Sequence, residues 1–151
     1  MIKLKKENVN RGVGLIIRDK LGRLLMLQRT GVEGDKSRLT KEQGSWEFPG
    51  GGVEGNETNP QAAIREGCEE TGLDIKSIIP FAEHTDIEPG KPKWENTSFI
   101  VTEYSGTPKI PQAEAHKFSA IEFFGLDEIP ENISDSSKQT LKAYLVANIK
   151  L

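Results

Sequence analysis

A helix that follows three consecutive glycines constrains this chain more than any other feature of its sequence. Asn59 can cap the helix, Pro60 suits its first position, and Gly72 is placed to end it. The glycines at 50–52 carry no Cβ, so their backbone can approach other groups closely. We therefore expect a tight backbone path at 50–52, followed by a helix over 60–71.

Strands are predicted on both sides of this helix. Runs with β-strand character occupy residues 12–18, 23–29, 46–48, 74–81, 97–104 and 120–124. Turn residues at 19–22 predict that the first two runs form a hairpin, and Ser134 can cap a final helix. The polar stretch 30–45 predicts a long loop. Because strands and helices interleave without a repeat, we expect one α/β or α+β domain over residues 1–151, with a sheet flanked by helices.

Composition restricts the class of protein. Lys and Arg total 20 and Asp and Glu total 23, and this weak charge bias gives no reason to expect a nucleic-acid polymer or a membrane surface as partner. The one cysteine, Cys68, excludes an internal disulfide. Apolar runs such as 13–17 are far shorter than the ~18–20 residues of a membrane span, and the basic start is not followed by the apolar stretch of a secretory signal. We expect a cytoplasmic globular protein.

Three carboxylates share one face of the predicted helix. Glu66, Glu69 and Glu70 occupy positions i, i+3 and i+4, where like charges repel one another. A cluster of hard oxygen ligands suits Mg²⁺ or Mn²⁺, which would compensate the repulsion. The alternative is a solvated acidic face without a ligand.

The residues around these carboxylates favour a metal-binding site over a solvated acidic face. Glu57 lies eight residues before Arg65 and could form a bidentate pair with its guanidinium, fixing the loop against the helix. Together with the glycines at 50–52, this arrangement predicts a place for divalent cations, which in turn would hold a polyphosphate.

The same residues resemble a known family motif. The pattern Gly51-x5-Glu57-x7-Arg65-Glu66-Gly67-x-Glu69-Glu70-x-Gly72-Leu73 is similar to the Nudix box, G-x5-E-x7-R-E-U-x-E-E-x-G-U, in which U is a bulky aliphatic residue. Every fixed position over 23 residues is filled. Gly67 stands at a U position, so we expect a core position to be left unfilled there. The likeness extends to the segment 123–130 and covers roughly residues 10–147.

This resemblance implies the Nudix fold, a mixed sheet sandwiched between helices, and a hydrolase acting on a nucleoside diphosphate linked to a further group. By position in the box, four residues would hold the metal: Glu66, Glu69, Glu70 and the carbonyl of Gly50. Mg²⁺ is the implied metal, with Mn²⁺ as a substitute. Glu66 would orient or deprotonate the attacking water, while Glu57 and Arg65 would be structural members of the catalytic site.

Weaker sequence features indicate the class of substrate. Residues 46–51 resemble MutT-type nucleoside triphosphate pyrophosphohydrolases, and Asn132 lies where these proteins can present a base-reading amide. The segments 114–117 and 123–130 resemble triphosphate-cleaving members, and that likeness implies Glu114 as a further metal ligand. Arg29, at the end of the second strand, could reach a phosphate, and Trp94 could stack on a base. The alternatives are that Glu114 is a solvated loop carboxylate and that Asn132 belongs to a turn. Arg29 could likewise be a surface arginine, and Trp94 a core aromatic residue.

We therefore expect hydrolysis of a nucleoside triphosphate to the monophosphate and pyrophosphate. ADP-ribose, a nucleotide sugar or a dinucleoside polyphosphate is the alternative substrate, and a non-catalytic nucleotide-binding module is the third reading. Nudix proteins are often dimers, so the resemblance also implies a homodimer.

Overall fold

The computed structural model describes residues 9–31 and 44–147. This part of the chain forms seven strands and two α-helices: β1 (Val9–Ile16), β2 (Leu24–Arg29), β3 (Trp46–Glu47), β4 (Gly50–Gly52), α1 (Asn59–Thr71), β5 (Asp74–Asp86), β6 (Lys93–Ser105), β7 (Phe118–Phe124) and α2 (Asp135–Ala147). A single 3-10 turn, Gln112–Glu114, precedes β7. Most of the loop predicted at 30–45 lies outside the described residues.

The strands form two sheets in the order β4-β1-β6-β5 and β3-β2-β7, not the single sheet predicted. β1 runs parallel to β6, whereas the other strand pairs of the described residues are antiparallel. β1 and β2 are joined by the predicted turn and by one bridge between Arg18 and Leu24. They then diverge into different sheets, so only the start of the predicted hairpin is formed.

The core has two layers because successive strand residues point to opposite faces of a sheet. On one face of β1, Leu15 packs in a cluster with Ala62 and Ala63 of α1. On the other face, Ile16 belongs to a cluster against which Leu141 and Tyr144 of α2 pack. The predicted fold class, a mixed α+β structure with strands between helices, is therefore confirmed.

The helix α1 is held by caps at both ends. Thr58, not Asn59, is the N-cap: its hydroxyl accepts the Gln61 N–H at 3.2 Å, and the Gln61 side chain accepts the Thr58 N–H at 2.9 Å. Asn59 is the first helical residue and donates its side-chain amide to Thr97 Oγ1 at 3.2 Å. Gly72 ends the helix as predicted, in the left-handed conformation with φ 71°.

Gly67 does not leave an unfilled core position, so that expectation was wrong. A Cβ built at Gly67 would collide with Cδ1 of Ile75 and lie 3.4 Å from Cδ1 of Leu15. The Ile75 side chain on β5 therefore fills the volume that an aliphatic residue at 67 would have occupied.

At the other end of the chain, β5 and β6 form a hairpin whose turn occupies residues 87–92. The cap predicted for the final helix is confirmed. Ser134 caps α2, since its hydroxyl accepts the N–H of Ser137 at 3.2 Å.

Candidate active site

The acidic face of α1 lies directly against the glycine strand β4. The N–H of Gly50 donates to Glu70 Oε1 at 2.8 Å. A Cβ built at Gly51 would lie 2.6 and 2.7 Å from the two carboxylate oxygens of Glu66. The strand thus brings its bare backbone against two of the three predicted carboxylates.

The register of β4 also determines where the carbonyl of Gly50 points. Leu15 N–H donates to Pro49 O at 2.9 Å and Val53 N–H donates to Arg11 O at 2.9 Å. Alternate residues of an antiparallel strand make the bonds to one neighbour, so residues 49, 51 and 53 face β1. The C=O of Gly50 therefore faces away from β1, on the same side as its N–H.

Arg65 straps the loop before the helix to the site. Its Nε and Nη2 donate to the two oxygens of Glu57 at 2.7 and 2.8 Å, which confirms the bidentate pair predicted from their spacing. Nη2 also donates to Gly52 O at 3.0 Å. Nη1 donates to Glu66 Oε1 at 3.0 Å and to Glu69 Oε2 at 3.3 Å. One guanidinium thereby fixes the loop, the glycine strand and two of the helix carboxylates.

Burial raises the proton affinity of the two inner carboxyls. Glu70 is 3% exposed, and burial raises its pKa well above the usual range, with a further rise from the charges of Glu47 and Glu66. Burial also raises the pKa of Glu66, although Arg65 opposes that rise. The Glu69 side chain is 49% exposed by contrast. Keeping both inner groups as carboxylates therefore requires additional positive charge.

Arg29 occupies a buried position next to this cluster. Its Nη2 lies 2.8 Å from Glu47 Oε1, and both side chains are almost fully buried. The guanidinium also lies over the ring of Phe118, 4.8 Å from its centroid. The charge of Arg29 lowers the pKa of Glu70 against the dominant effect of burial, so Arg29 belongs to the same region. Glu47 was missed by the sequence analysis because nothing local marks a strand glutamate as buried.

Glu114 is brought to the same region by the turn before β7. It is 8% exposed, and Lys117 Nζ lies 3.1 Å from its Oε2. The charge of Lys117 also interacts with those of Glu70 and Glu66. Glu114 Oε2 is buried and has no hydrogen-bond partner in the described part of the chain. Its contact with Lys117 is an ion pair. Lys117 was also missed, since its position depends on tertiary contacts.

The other two predicted substrate residues contact the glycine strand and the segment before β3. Trp94 is 38% exposed, and its ring edge would lie 3.9 Å from a Cβ at Gly52. Asn132 is exposed and donates its side-chain amide to Gly44 O at 2.9 Å. Within residues 9–31 and 44–147, neither side chain is hydrogen-bonded to the glutamates of α1.

The donor set fits a divalent cation of the hard, oxygen-binding type. Glu70 is buried and Glu66 is partly buried. Their carboxyls, the buried Glu114 Oε2 and the Gly50 carbonyl supply oxygen ligands. No three acidic, histidine or cysteine side chains of the described residues are already gathered around one point. Arg65 binds one oxygen of Glu66 and one of Glu69, so each of these carboxylates has a second oxygen that Arg65 does not engage.

Comparison with known proteins decides the family. A family model described as the NUDIX domain matches residues 9–144, which is nearly the whole chain. The chain belongs to the Nudix family. The resemblance seen in the box residues and the expected enzyme class, a Nudix hydrolase, are thereby confirmed. Nudix hydrolases generally use a divalent metal ion, in agreement with the donor set.

Individual relatives are distant. The RNA pyrophosphohydrolase of Erythrobacter litoralis is 25% identical over 137 residues, which cover 80% of this chain and 84% of that protein. The RNA pyrophosphohydrolase of a Marinomonas species is 39% identical over 66 residues, which cover 44% of this chain. The latter match spans about a third of that relative's length, 34%.

Solved structures give the same fold. The crystal structure of a MutT NUDIX hydrolase from Burkholderia pseudomallei has a TM-score of 0.76 and 25% identity, covering 91% of this chain and 98% of that one. The crystal structure of a MutT protein from Methanosarcina mazei has a TM-score of 0.72 at 20% identity, covering 97% and 100%, and shows likeness of fold alone.

The two α-helices of the described residues are each 13 residues long. Neither helix formed by residues 9–31 and 44–147 combines the length and apolar character that crossing a bilayer requires.

Proposed function

We propose that this Nudix hydrolase cleaves a nucleoside 5′-triphosphate to the nucleoside monophosphate and pyrophosphate. The observation that carries the proposal is the packing of Glu66 and Glu70 against the glycine backbone of β4, where the Gly50 N–H donates to Glu70 Oε1 at 2.8 Å. A polyphosphate bound through a cation would offset the repulsion between these charges. The MutT name of the Burkholderia structure agrees with the MutT-type resemblance of residues 46–51, which implies a triphosphate as substrate.

Mg²⁺ is the proposed cofactor, with Mn²⁺ as a substitute. The oxygen ligands proposed for it are Glu66, Glu69, Glu70, Glu114 and the carbonyl of Gly50. When bound, such an ion supplies neutralisation of phosphate oxygens and makes a nearby water more acidic.

Glu66 is the proposed general base. Its burial raises its pKa, so its carboxylate accepts a proton more readily than a solvated one. The proton of the attacking water passes to Glu66, the water oxygen bonds to phosphorus, and the bond from phosphorus to the bridging oxygen breaks. Such a base contributes roughly 10²- to 10⁴-fold to the rate. Arg65 positions Glu66 directly, and Glu57 positions Arg65.

Three residues are proposed to bind the rest of the substrate. Arg29 would contact a phosphate, with its guanidinium oriented by Glu47 and Phe118. Trp94 would stack its exposed ring face on the base. Asn132 would read a base edge with its amide.

A second candidate substrate is the 5′-triphosphate end of an RNA. The sequence analysis expected no nucleic-acid polymer as partner, but the curated relatives bear the name RNA pyrophosphohydrolase. Both candidates present the same triphosphate to the site. The homodimer and the cytoplasmic location remain predictions.

Product analysis by phosphorus NMR tests the proposal. The protein with Mg²⁺ is given nucleoside triphosphates, a 5′-triphosphorylated RNA, ADP-ribose, a nucleotide sugar and a dinucleoside tetraphosphate, and the triphosphates are repeated in ¹⁸O-labelled water. Monophosphate plus pyrophosphate from a free triphosphate is the expected result, and the labelled product names the phosphorus attacked. If the protein hydrolysed only ADP-ribose or a nucleotide sugar, the proposal of a triphosphate substrate would be rejected.

A further inference from the structure

Lys117 is fixed next to the carboxylates by the backbone of its turn. Its N–H donates to Glu114 O at 2.9 Å, and its C=O accepts the N–H of Thr30 at 2.8 Å. The Thr30 hydroxyl donates to the neighbouring His116 O at 2.9 Å. The turn is therefore tied to the end of β2, where Arg29 enters the site.

The ammonium of Lys117 is the most accessible positive charge described beside the buried carboxylates. Its side chain is 40% exposed, against 24% for Arg65 and 9% for Arg29. Both arginines bind carboxylates through short contacts, Arg29 with Glu47 and Arg65 with three glutamates. Lys117 contacts one carboxylate, with its Nζ 3.1 Å from Glu114 Oε2. Its N–H donors are thus the least committed of the three cations.

The charge of Lys117 also reaches the helix carboxylates. The charges of Glu70 and Glu66 act on its ammonium in addition to that of Glu114. A phosphate chain held beside Glu66 and Glu70 would therefore lie close to this cation.

We propose that Lys117 binds the non-bridging phosphate oxygens of the substrate, with Glu114 as the residue that positions it. This inference rests on the proposed function, because it supplies a contact for the same polyphosphate. An ammonium carries three donors on a flexible stem and binds phosphate as a point charge. Lys117 thus adds to the site a positive charge that belongs to the chain itself and does not depend on a metal ion.

The proposal predicts opposite effects on two ligands. Removing Lys117 removes an attraction for phosphate, so a triphosphate binds more weakly. It also removes a repulsion for metal ions, so a divalent cation alone binds as tightly as before or more tightly. If Lys117 had only a structural role, removing it would weaken the binding of both ligands.

The test compares the wild type with Lys117→Ala, Lys117→Arg and Lys20→Ala, the last removing an exposed lysine from the turn between β1 and β2. Calorimetry gives the Kd of the α,β-methylene analogue of GTP with Mg²⁺ and, separately, of Mn²⁺ alone. Steady-state kinetics on the triphosphate give KM and kcat. We expect Lys117→Ala to raise the Kd of the analogue and the KM by roughly 10- to 100-fold, the effect of losing one charge-assisted hydrogen bond. Lys117→Arg should keep most of the affinity, and Lys20→Ala should match the wild type.

Two results would overturn the proposal: an unchanged affinity for the analogue, or a parallel loss of affinity for Mn²⁺. Lys117→Met, which keeps most of the aliphatic stem, replaces the alanine variant if thermal melting shows that the latter is unfolded. A protein that hydrolyses no triphosphate but loses analogue binding on Lys117→Ala would reject the proposed function and leave the phosphate contact standing.

Discussion

Replacing Gly51 with alanine should inactivate the protein without unfolding it. The new Cβ would lie 2.6 and 2.7 Å from the Glu66 carboxylate oxygens, whereas ordinary contacts are 3.4–4 Å. The carboxylate must therefore move by about 1 Å, a displacement that can cost about 10²-fold in rate when it affects a reacting group. Gly51 is not among the glycines with positive φ, so alanine causes no backbone strain.

The free energy of unfolding should change by less than about 1 kcal/mol in this variant. The group that must move is the end of a flexible side chain. Alanine also restricts the unfolded chain and gains about 0.4–1 kcal/mol by that effect, which offsets the loss of the Glu66 position.

The flanking glycines of β4 supply matched controls. A Cβ at Gly52 has its nearest neighbour, a carbon of Trp94, at 3.9 Å, so Gly52→Ala should keep both activity and stability. A Cβ at Gly50 would collide with the backbone oxygen of Val13 and lie 3.0 Å from the Cα of Gly14. Because both are backbone atoms of the paired strand, Gly50→Ala should lower the melting temperature strongly.

The assay is kcat on the triphosphate together with thermal melting for the three variants. The reasoning would be refuted if Gly51→Ala were as active as Gly52→Ala, or if it lost as much stability as Gly50→Ala.

Four other predictions follow from the same contacts. Glu66→Gln should lower turnover about 10²- to 10⁴-fold and leave nucleotide binding nearly intact; a near-full rate would reject Glu66 as the base. Arg65→Ala should lower the melting temperature by at least about 2 °C, the effect of ~1 kcal/mol in a chain of this size, because it releases Glu57; an unchanged melting temperature with a reduced rate would mean that Arg65 contacts substrate instead. Gly67→Ala should destabilise the protein through overpacking against Ile75, and Ile75→Val in the same chain should restore stability; a melting curve that the second change leaves unimproved would contradict the packing described. Hydrogen bonds from Arg65 and from the Glu54 N–H lower the pKa of Glu57 from 4.5 to about 2. The Glu57 carboxylate therefore stabilises the fold fully above pH 4.5, and this stabilisation is lost as the pH falls from 4.5 to about 2. The difference in melting temperature between wild type and Glu57→Gln should shrink over that range, and a constant difference would contradict the prediction.

Features that depend on local spacing could be predicted from the sequence. The eight-residue spacing of Glu57 and Arg65 predicted their bidentate pair, and Gly72 predicted the end of α1. The N-cap was misplaced because Thr58 and Asn59 are both good caps. Gln61, three residues after Thr58, was the signal that distinguishes them, since it completes a capping box.

Features that depend on contacts between distant segments could not be predicted. β1 pairs in parallel with β6 from Val9↔Lys93 onward, and no turn connects these strands directly. Glu47 and Lys117 join the site only because tertiary folding brings their charges within reach of Glu70. Ile75 fills the space above Gly67 for the same reason, namely the position of β5 against α1.

The most direct test of the site is to follow a nucleoside triphosphate by phosphorus NMR with wild type and Glu69→Gln, first without metal and then after addition of Mg²⁺. We predict unchanged spectra before the addition, then signals of monophosphate and pyrophosphate with the wild type alone. An unchanged triphosphate after Mg²⁺, or equal rates in the two proteins, would contradict the assignment of the α1 carboxylates as the metal-dependent centre.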